Sequence, residues 1–237
     1  MRYVREFKGF AGIRLEADDI GLADDPSIIL LHGFGQTRKV WEDVAVALEQ
    51  AGRRVINIDL RGHGGSDWPP DARYDFDAYV EDLRALLGQM RTRPVVVAAT
   101  HSAWIATMAL AEDAATLAAG MILVDPPAYM DAETVRASAE KLSAALARGL
   151  GKPDYDERIF GAFETGNINA QLNAAAPQIS IPVLIVRGAL DNFAANEIVS
   201  EFVAALPNAE SVDVADAGLL VVAERTEAFN GLLIDFL

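Results

Sequence analysis

The chain has 237 residues, 51% of them hydrophobic, a formal net charge of −15 and no cysteine. That length buries one sizeable core with room for an insertion, and the absence of cysteine excludes disulfides, a thiol nucleophile and cysteine-held metals. The acidity argues against nucleic acid or an anionic membrane and for a neutral or cationic small molecule as partner.

No apolar run reaches 18 residues, and the N-terminus MRYVREFKGF lacks the hydrophobic region of a signal peptide. A cytoplasmic location without a membrane span is therefore expected. Tyr3–Phe7 and Ile13–Glu16 read as a leading hairpin at a sheet edge. Pro26–Leu31 is a continuous apolar strand ending in His32-Gly33-Phe34-Gly35-Gln36, where glycines let backbone N–H groups face a ligand, as an oxyanion hole needs.

Val40–Gln50 is an amphipathic helix with Trp41, Val44, Ala45 and Leu48 on one face. Arg54–Asp59 is the next strand, followed by the glycine-rich turn Leu60–Ser66, in which His63 reads as structural. Phe76–Met90 is a second amphipathic helix. The apolar run after Pro94 is a strand too unalternating for a sheet edge, and it passes through Thr100, His101, Ser102, Ala103 and Trp104 into a helix from Ile105.

Gly120–Asp125 is a further buried strand with an acid at its C-terminal end. From Ala128 to about Gln178 the pattern turns helical and Ala-rich, with Asp131–Leu150 helical. This stretch is too small for a separate domain and suits a lid, giving a core of residues 1–127 and 179–237 around a cap of 128–178. Ile181–Arg187 is a strand closed by Gly188-Ala189-Leu190-Asp191, Asn196–Leu206 a helix, Ser211–Val214 a strand and Glu224–Leu237 a closing helix. Strands alternating with helices predict a mostly parallel sheet covered on both faces, with its sites at the C-terminal strand ends.

The strand-to-helix turn after Pro94 is where such a sheet mounts an exposed, strained nucleophile between small residues. With Ser102 at the tip, the flanks are Thr100 and Trp104, and an indole stands where a glycine belongs. With His101 at the tip, the flanks are Ala99 and Ala103, which sterics favour. The chain has three histidines, His32, His63 and His101, so any histidine chemistry falls among them.

HGFGQ after one strand, DLRGHGGSDW after the next, a strand–elbow–helix, LVDPP and RGALD, in that order, resemble the α/β-hydrolase superfamily. The likeness is greatest to small esterase-like or epoxide-hydrolase-like members. It implies an oxyanion hole at Gly33 and Phe34 and a catalytic acid at Asp191, with Asp125 a second candidate. The resemblance also implies a catalytic histidine in the loop after the last strand, in a Gly-His pair. Here Gly218 is followed by Leu219, so the usual serine–histidine–acid triad is not assembled. Losing the base and altering the elbow together point to repurposing, by divergence or by engineering.

Three functions follow. His101 acts as nucleophile or general base on a small apolar substrate, in activated-ester hydrolysis or proton abstraction, with Leu219 as a pocket wall and Trp104 as either an aromatic wall or a core residue of the helix. Alternatively Ser102 is the nucleophile of an esterase with a displaced base, or the chain is a binding protein that keeps the pocket without chemistry. Neither a cofactor nor a metal is expected.

Overall fold

A computed structural model of the chain describes residues 2–127, 137, 154–161, 168–190, 196–218 and 220–237. The predicted hairpin forms, longer than expected, as β1 (Arg2–Lys8) and β2 (Arg14–Ile20), paired antiparallel from Arg2↔Ile20 to Lys8↔Arg14. The strand–helix alternation then gives β3 (Ser27–Leu31), α1 (Glu42–Gln50), β4 (Arg54–Ile58), α2 (Phe76–Leu87), β5 (Val95–Ala99), α3 (Ser102–Leu110), α4 (Ala114–Leu117) and β6 (Gly120–Val124). After residue 161 come α5 (Ile168–Ala175), β7 (Val183–Gly188), α6 (Asn196–Ala205), β8 (Ala209–Val214), α7 (Val221–Glu224) and α8 (Thr226–Phe236). The closing helix predicted from Glu224 starts at Thr226, after the separate short α7 that ends at Glu224.

The strands form one sheet in the order β1-β2-β4-β3-β5-β6-β7-β8. β2 runs against β1 and β4, and every pairing from β4 to β8 is parallel. β5 lies between β3 and β6, the central place its unbroken apolar run predicts. All five residues of β3, β4 and β6 are buried, as strands covered on both faces must be.

One apolar layer gathers Ile29, Leu31, Val96 and Ala98 with Tyr79 and Leu83 of α2 and Ile105 and Leu110 of α3. The opposite layer gathers Ile28, Leu30 and Val97 with Trp41, Leu48 of α1 and Phe229 and Leu233 of α8. The helix α3 carries no polar face because it is covered all round; of its nine residues only Met108 is not buried. Helix α2 starts where Asp75 accepts the Ala78 N–H at 3.0 Å, satisfying one orphan donor of the first turn.

The helix predicted over Asp131–Leu150 lies outside the described residues apart from Ala137. Where the expected cap is described, it is fastened to the core. Gly64 N–H donates to Asp154 O at 2.8 Å and Asp156 N–H to Gly62 O at 2.8 Å. The Tyr74 hydroxyl donates to Asp156 Oδ2 at 2.7 Å, and α5 buries Ile168 and Leu172 in the layer that holds α3. Among the described residues, no helix is long and apolar enough to cross a membrane.

Candidate functional site

The loops after β3, β4, β5 and β6 meet at the C-terminal end of the sheet. Two histidines brace the first two. Leu60 N–H donates to His32 Nε2 at 3.0 Å, so the His32 proton is on Nδ1, which donates to Gly33 O at 2.8 Å. In the same way Gly35 N–H donates to His63 Nε2 at 3.1 Å and His63 Nδ1 donates to Arg61 O at 2.9 Å. Both rings are fully buried. Burial holds His32 neutral, with its pKa lowered to about 4. It lowers that of His63 to about 3, helped by repulsion from His32. His63 is a structural support, as its glycine-rich loop suggests, and His32 is another.

The turn after β5 departs from both sequence registers. Its left-handed residue is Thr100, at φ +49°, whereas His101 has helical angles, φ −60° and ψ −26°. The cause is where the ladder ends. Ala99 is the last residue of β5, paired to Val124, and Thr100 N–H still donates to Val124 O at 2.8 Å. The chain must therefore reverse at Thr100. A positive φ on a β-branched residue is strained, of order 1–3 kcal/mol. The small flanks of this tip are Ala98 and Ser102, a third small-x-residue-x-small reading that the sequence also contains.

Thr100 Oγ1 is buried and has no hydrogen-bond partner among the described residues. It faces Gly33: a methyl added there would collide with it. Gly33 N–H is already given to Gln36 Oε1 at 2.8 Å, so Gly33 contributes room for the threonine rather than an oxyanion donor. Ser102 turns inward, fully buried, with Oγ donating to His32 O at 2.5 Å. Its hydroxyl thereby ties the elbow to the β3 loop.

His101 is 2% exposed, and its ring stacks on Phe34 with centroids 5.5 Å apart. Phe34 in turn stacks on His63 at 6.1 Å. No hydrogen bond joins His101 to Thr100 Oγ1. Trp104 is 4% exposed and meets Phe202 of α6 edge-on at 4.5 Å. It packs within the hydrophobic core.

Asp125 follows β6 at φ +46°. Its Oδ1 accepts Gly188 N–H at 2.9 Å and its Oδ2 accepts Val221 N–H at 3.4 Å, so it bridges the end of β7 to the start of α7. Asp191 and Leu219 lie outside the described residues. Beside them, Leu190 N–H donates to Ala217 O at 2.8 Å.

A cavity of about 320 Å³ opens from the elbow between the β3 loop, the start of α1 and α7. Thr100 and Asp125 line it, together with Gln36, Trp41, Val124 and Leu220. Thr100, Gln36 and Trp41 are absent from the sequence-based site. The signal for Thr100 was the five-residue limit of the apolar strand. For Trp41 the helical face marks burial, and nothing local says what its indole N–H meets.

A profile of the alpha/beta hydrolase family matches residues 28–232. "AB hydrolase superfamily protein YisY" of Bacillus subtilis is 24% identical, over 94% of this chain and 95% of that protein. Lipase LipV of Mycobacterium tuberculosis is 31% identical over 60% of this chain and 51% of that one. The enol-lactonase of Burkholderia xenovorans LB400 superposes with a TM-score of 0.79 at 21% identity, over 98% of this chain and 99% of that chain. At that identity the likeness is one of fold.

Proposed function

This chain belongs to the alpha/beta hydrolase family, and from that premise we propose that it binds a small, largely apolar molecule at the elbow without triad turnover. One observation carries the reading: the fate of the three histidines. His32 and His63 have both ring nitrogens engaged by backbone groups. His101 makes no hydrogen bond to the hydroxyl at the elbow tip. A threonine hydroxyl with no base bonded to it among the described residues is a poor nucleophile at neutral pH. Thr100 lines a cavity suited to holding a ligand, and the part of the expected 128–178 lid at Asp154 and Asp156 is fastened to the turn after β4.

A second reading is favoured by one contact, the stack of His101 on Phe34. It sets an imidazole beside the turn whose Phe34 N–H would meet a developing oxyanion. Under that reading His101 attacks an activated ester or removes a proton from a carbon acid.

Hydrolysis of p-nitrophenyl acetate and butyrate at pH 5–9, in the parent and in His101→Ala, separates the two. The expected result is no His101-dependent rate at any pH. A rate that climbs with pH as an imidazole loses its proton, and vanishes in His101→Ala, would reverse the order of the readings.

A further inference from the structure

We propose that a depression beside the start of β4 binds a compact dianionic oxyanion, a phosphate group that is free or carried by a small ester. It is walled by Arg54 and by the loops that enter β3 and β5, at Ala23 and at Arg91, whereas the elbow belongs to the loops that leave the strands. The proposal is independent of the reading of the elbow.

Strand alternation builds the site. Tyr3 and Arg5 of β1 share a face with Asp19 of β2, which pairs with Tyr3, and with Arg54 of β4, two residues before Ile56, the partner of Asp19. Further along that face Phe7, Ala17, Ile56 and Ile58 are buried in one layer with Tyr79 and Leu83 of α2. Helix α2 ends at Leu87, and beyond it the face turns from apolar to charged.

The charges there do not cancel. Asp19 accepts Arg54 Nε–H and Nη2–H at 2.8 and 2.6 Å, Arg5 Nη1–H at 3.1 Å and the Tyr3 hydroxyl at 3.0 Å. Burial acts to raise its pKa, but the bonds from Arg54 and Arg5 outweigh burial and hold it below its usual value, so it is ionised. One carboxylate thus serves two guanidiniums. Arg91 brings a third, exposed and with no side-chain partner among the described residues. Among those residues the wall carries no carboxylate of its own. The nearby Asp25 is turned to Leu22 N–H at 3.3 Å. The last carbonyls of α2 are engaged too, by the N–H groups of Gly88, Gln89 and Met90 and by Gln89 Nε2. Two positive charges remain in one depression of a chain whose net charge is −15.

That surplus matches a dianion, and guanidinium forks suit phosphate oxygens. Arg5 is pre-set for the role: its guanidinium lies 4.6 Å from the centre of the Phe7 ring, and its side chain is 39% exposed. The Tyr3 ring and Met90 offer apolar surface to the carbon body of an ester. The volume of about 180 Å³ is below the roughly 300–1,000 Å³ of pockets for larger ligands, so the occupant is compact.

The test follows amide and methyl NMR signals of the full chain at pH 8, where phosphate and propyl phosphate are dianions, with acetate as a monoanion at matched ionic strength. Phosphate should give saturable shifts confined to Tyr3, Arg5, Ala23, Met90 and Arg91, and should bind about fivefold more tightly than acetate. Arg91→Gln and Arg5→Gln should each weaken it about three- to fivefold, and Arg5→Lys should recover part of that loss. Arg225→Gln, which removes the same charge beside Asp216, should change nothing. Tighter binding of propyl phosphate assigns the site to an ester, and equal binding assigns it to free phosphate.

The proposal is overturned if phosphate moves none of these signals or if acetate binds as well. It is also overturned if Arg225→Gln weakens phosphate as much as Arg91→Gln does, since only diffuse surface charge would then be at work. Arg91 is exposed and unpaired, so its variant carries the test even if Arg5→Gln fails to fold.

Discussion

The turn after β4 and the elbow after β5 flank the same β3 loop, yet they treat their polar atoms in opposite ways. In the β4 turn, Arg61 meets both Asp82 oxygens, at 2.5 and 2.7 Å, and donates to Arg73 O at 2.9 Å. Asp82 also accepts Phe10 N–H at 2.7 Å. Ser66 Oγ donates to Asp59 O at 2.5 Å while accepting Glu16 N–H at 2.9 Å. The guanidinium of Arg38 pairs with Asp59 and, at 2.8 Å, with Glu16. At the elbow, the Thr100 hydroxyl and the Trp41 indole are unmatched among the described residues, and Thr100 is held at a strained φ. The first turn is a frame whose buried polar groups are closed on one another. The second leaves two buried polar atoms unmatched among the described residues.

The comparison breaks most visibly if one residue is removed from each turn. Asp82→Ala leaves the Arg61 guanidinium buried and uncompensated and takes the acceptor from Phe10 N–H. Urea unfolding at pH 7 should show a loss of about 3–5 kcal/mol. Thr100→Val keeps the branched shape and deletes only an unmatched hydroxyl, so its change should stay below about 1 kcal/mol. Equal losses in the two variants would end the distinction between frame and site.

Acid tests the frame next. His32 and His63 titrate near 6.5 when unfolded, and folding lowers them to about 4 and about 3. Below pH 6.5 the unfolded chain therefore binds more protons, and stability falls with pH. The loss runs from about 6.5 down through about 4 for His32, and on to about 3 for His63. In His63→Gln the amide can still accept from Gly35 N–H and donate to Arg61 O. Between pH 6.5 and 4.5 its stability should decline less steeply than that of the parent, measured as unfolding midpoints. Identical slopes would show that His63 takes up its proton without leaving the fold.

A double-mutant test sharpens the elbow. Gly33→Ala should cost about 1–3 kcal/mol by collision with Thr100 Oγ1. Thr100→Ala should restore most of that loss in the double variant, a coupling that a thermal double-mutant cycle reads directly. Additive losses would show that Thr100 Oγ1 is not what Gly33 makes room for.

The order of strands and helices, the parallel sheet and the central place of β5 were all legible in the chain. They rest on local periodicity: unbroken apolar runs for strands buried on both faces, and a one-sided apolar stripe for α1 and α2. The glycines of His32–Gln36 and the support role of His63 were legible too, because a polar glycine-rich turn must find hydrogen bonds somewhere. The tip of the elbow was not. Small residues stand at 98, 99, 102 and 103, so more than one register satisfies the steric pattern. Only the parallel pairing of Ala99 with Val124, which ends the strand there, makes Thr100 the residue that turns.

Trp104 shows the same limit, since its indole reads as wall or core until Phe202 of α6 covers it. Trp41 shows it again, because the helical face says that the ring is buried and cannot say that its N–H lacks an acceptor. By itself the sequence determined the elements, their succession and the absence of a histidine after Gly218, since each is a property of neighbouring residues. The tertiary structure decided which residue is strained, which hydroxyl is tied inward and which buried polar atoms find no partner among the described residues. Those depend on where a ladder ends and what packs opposite, and the partners that settle them are distant along the chain.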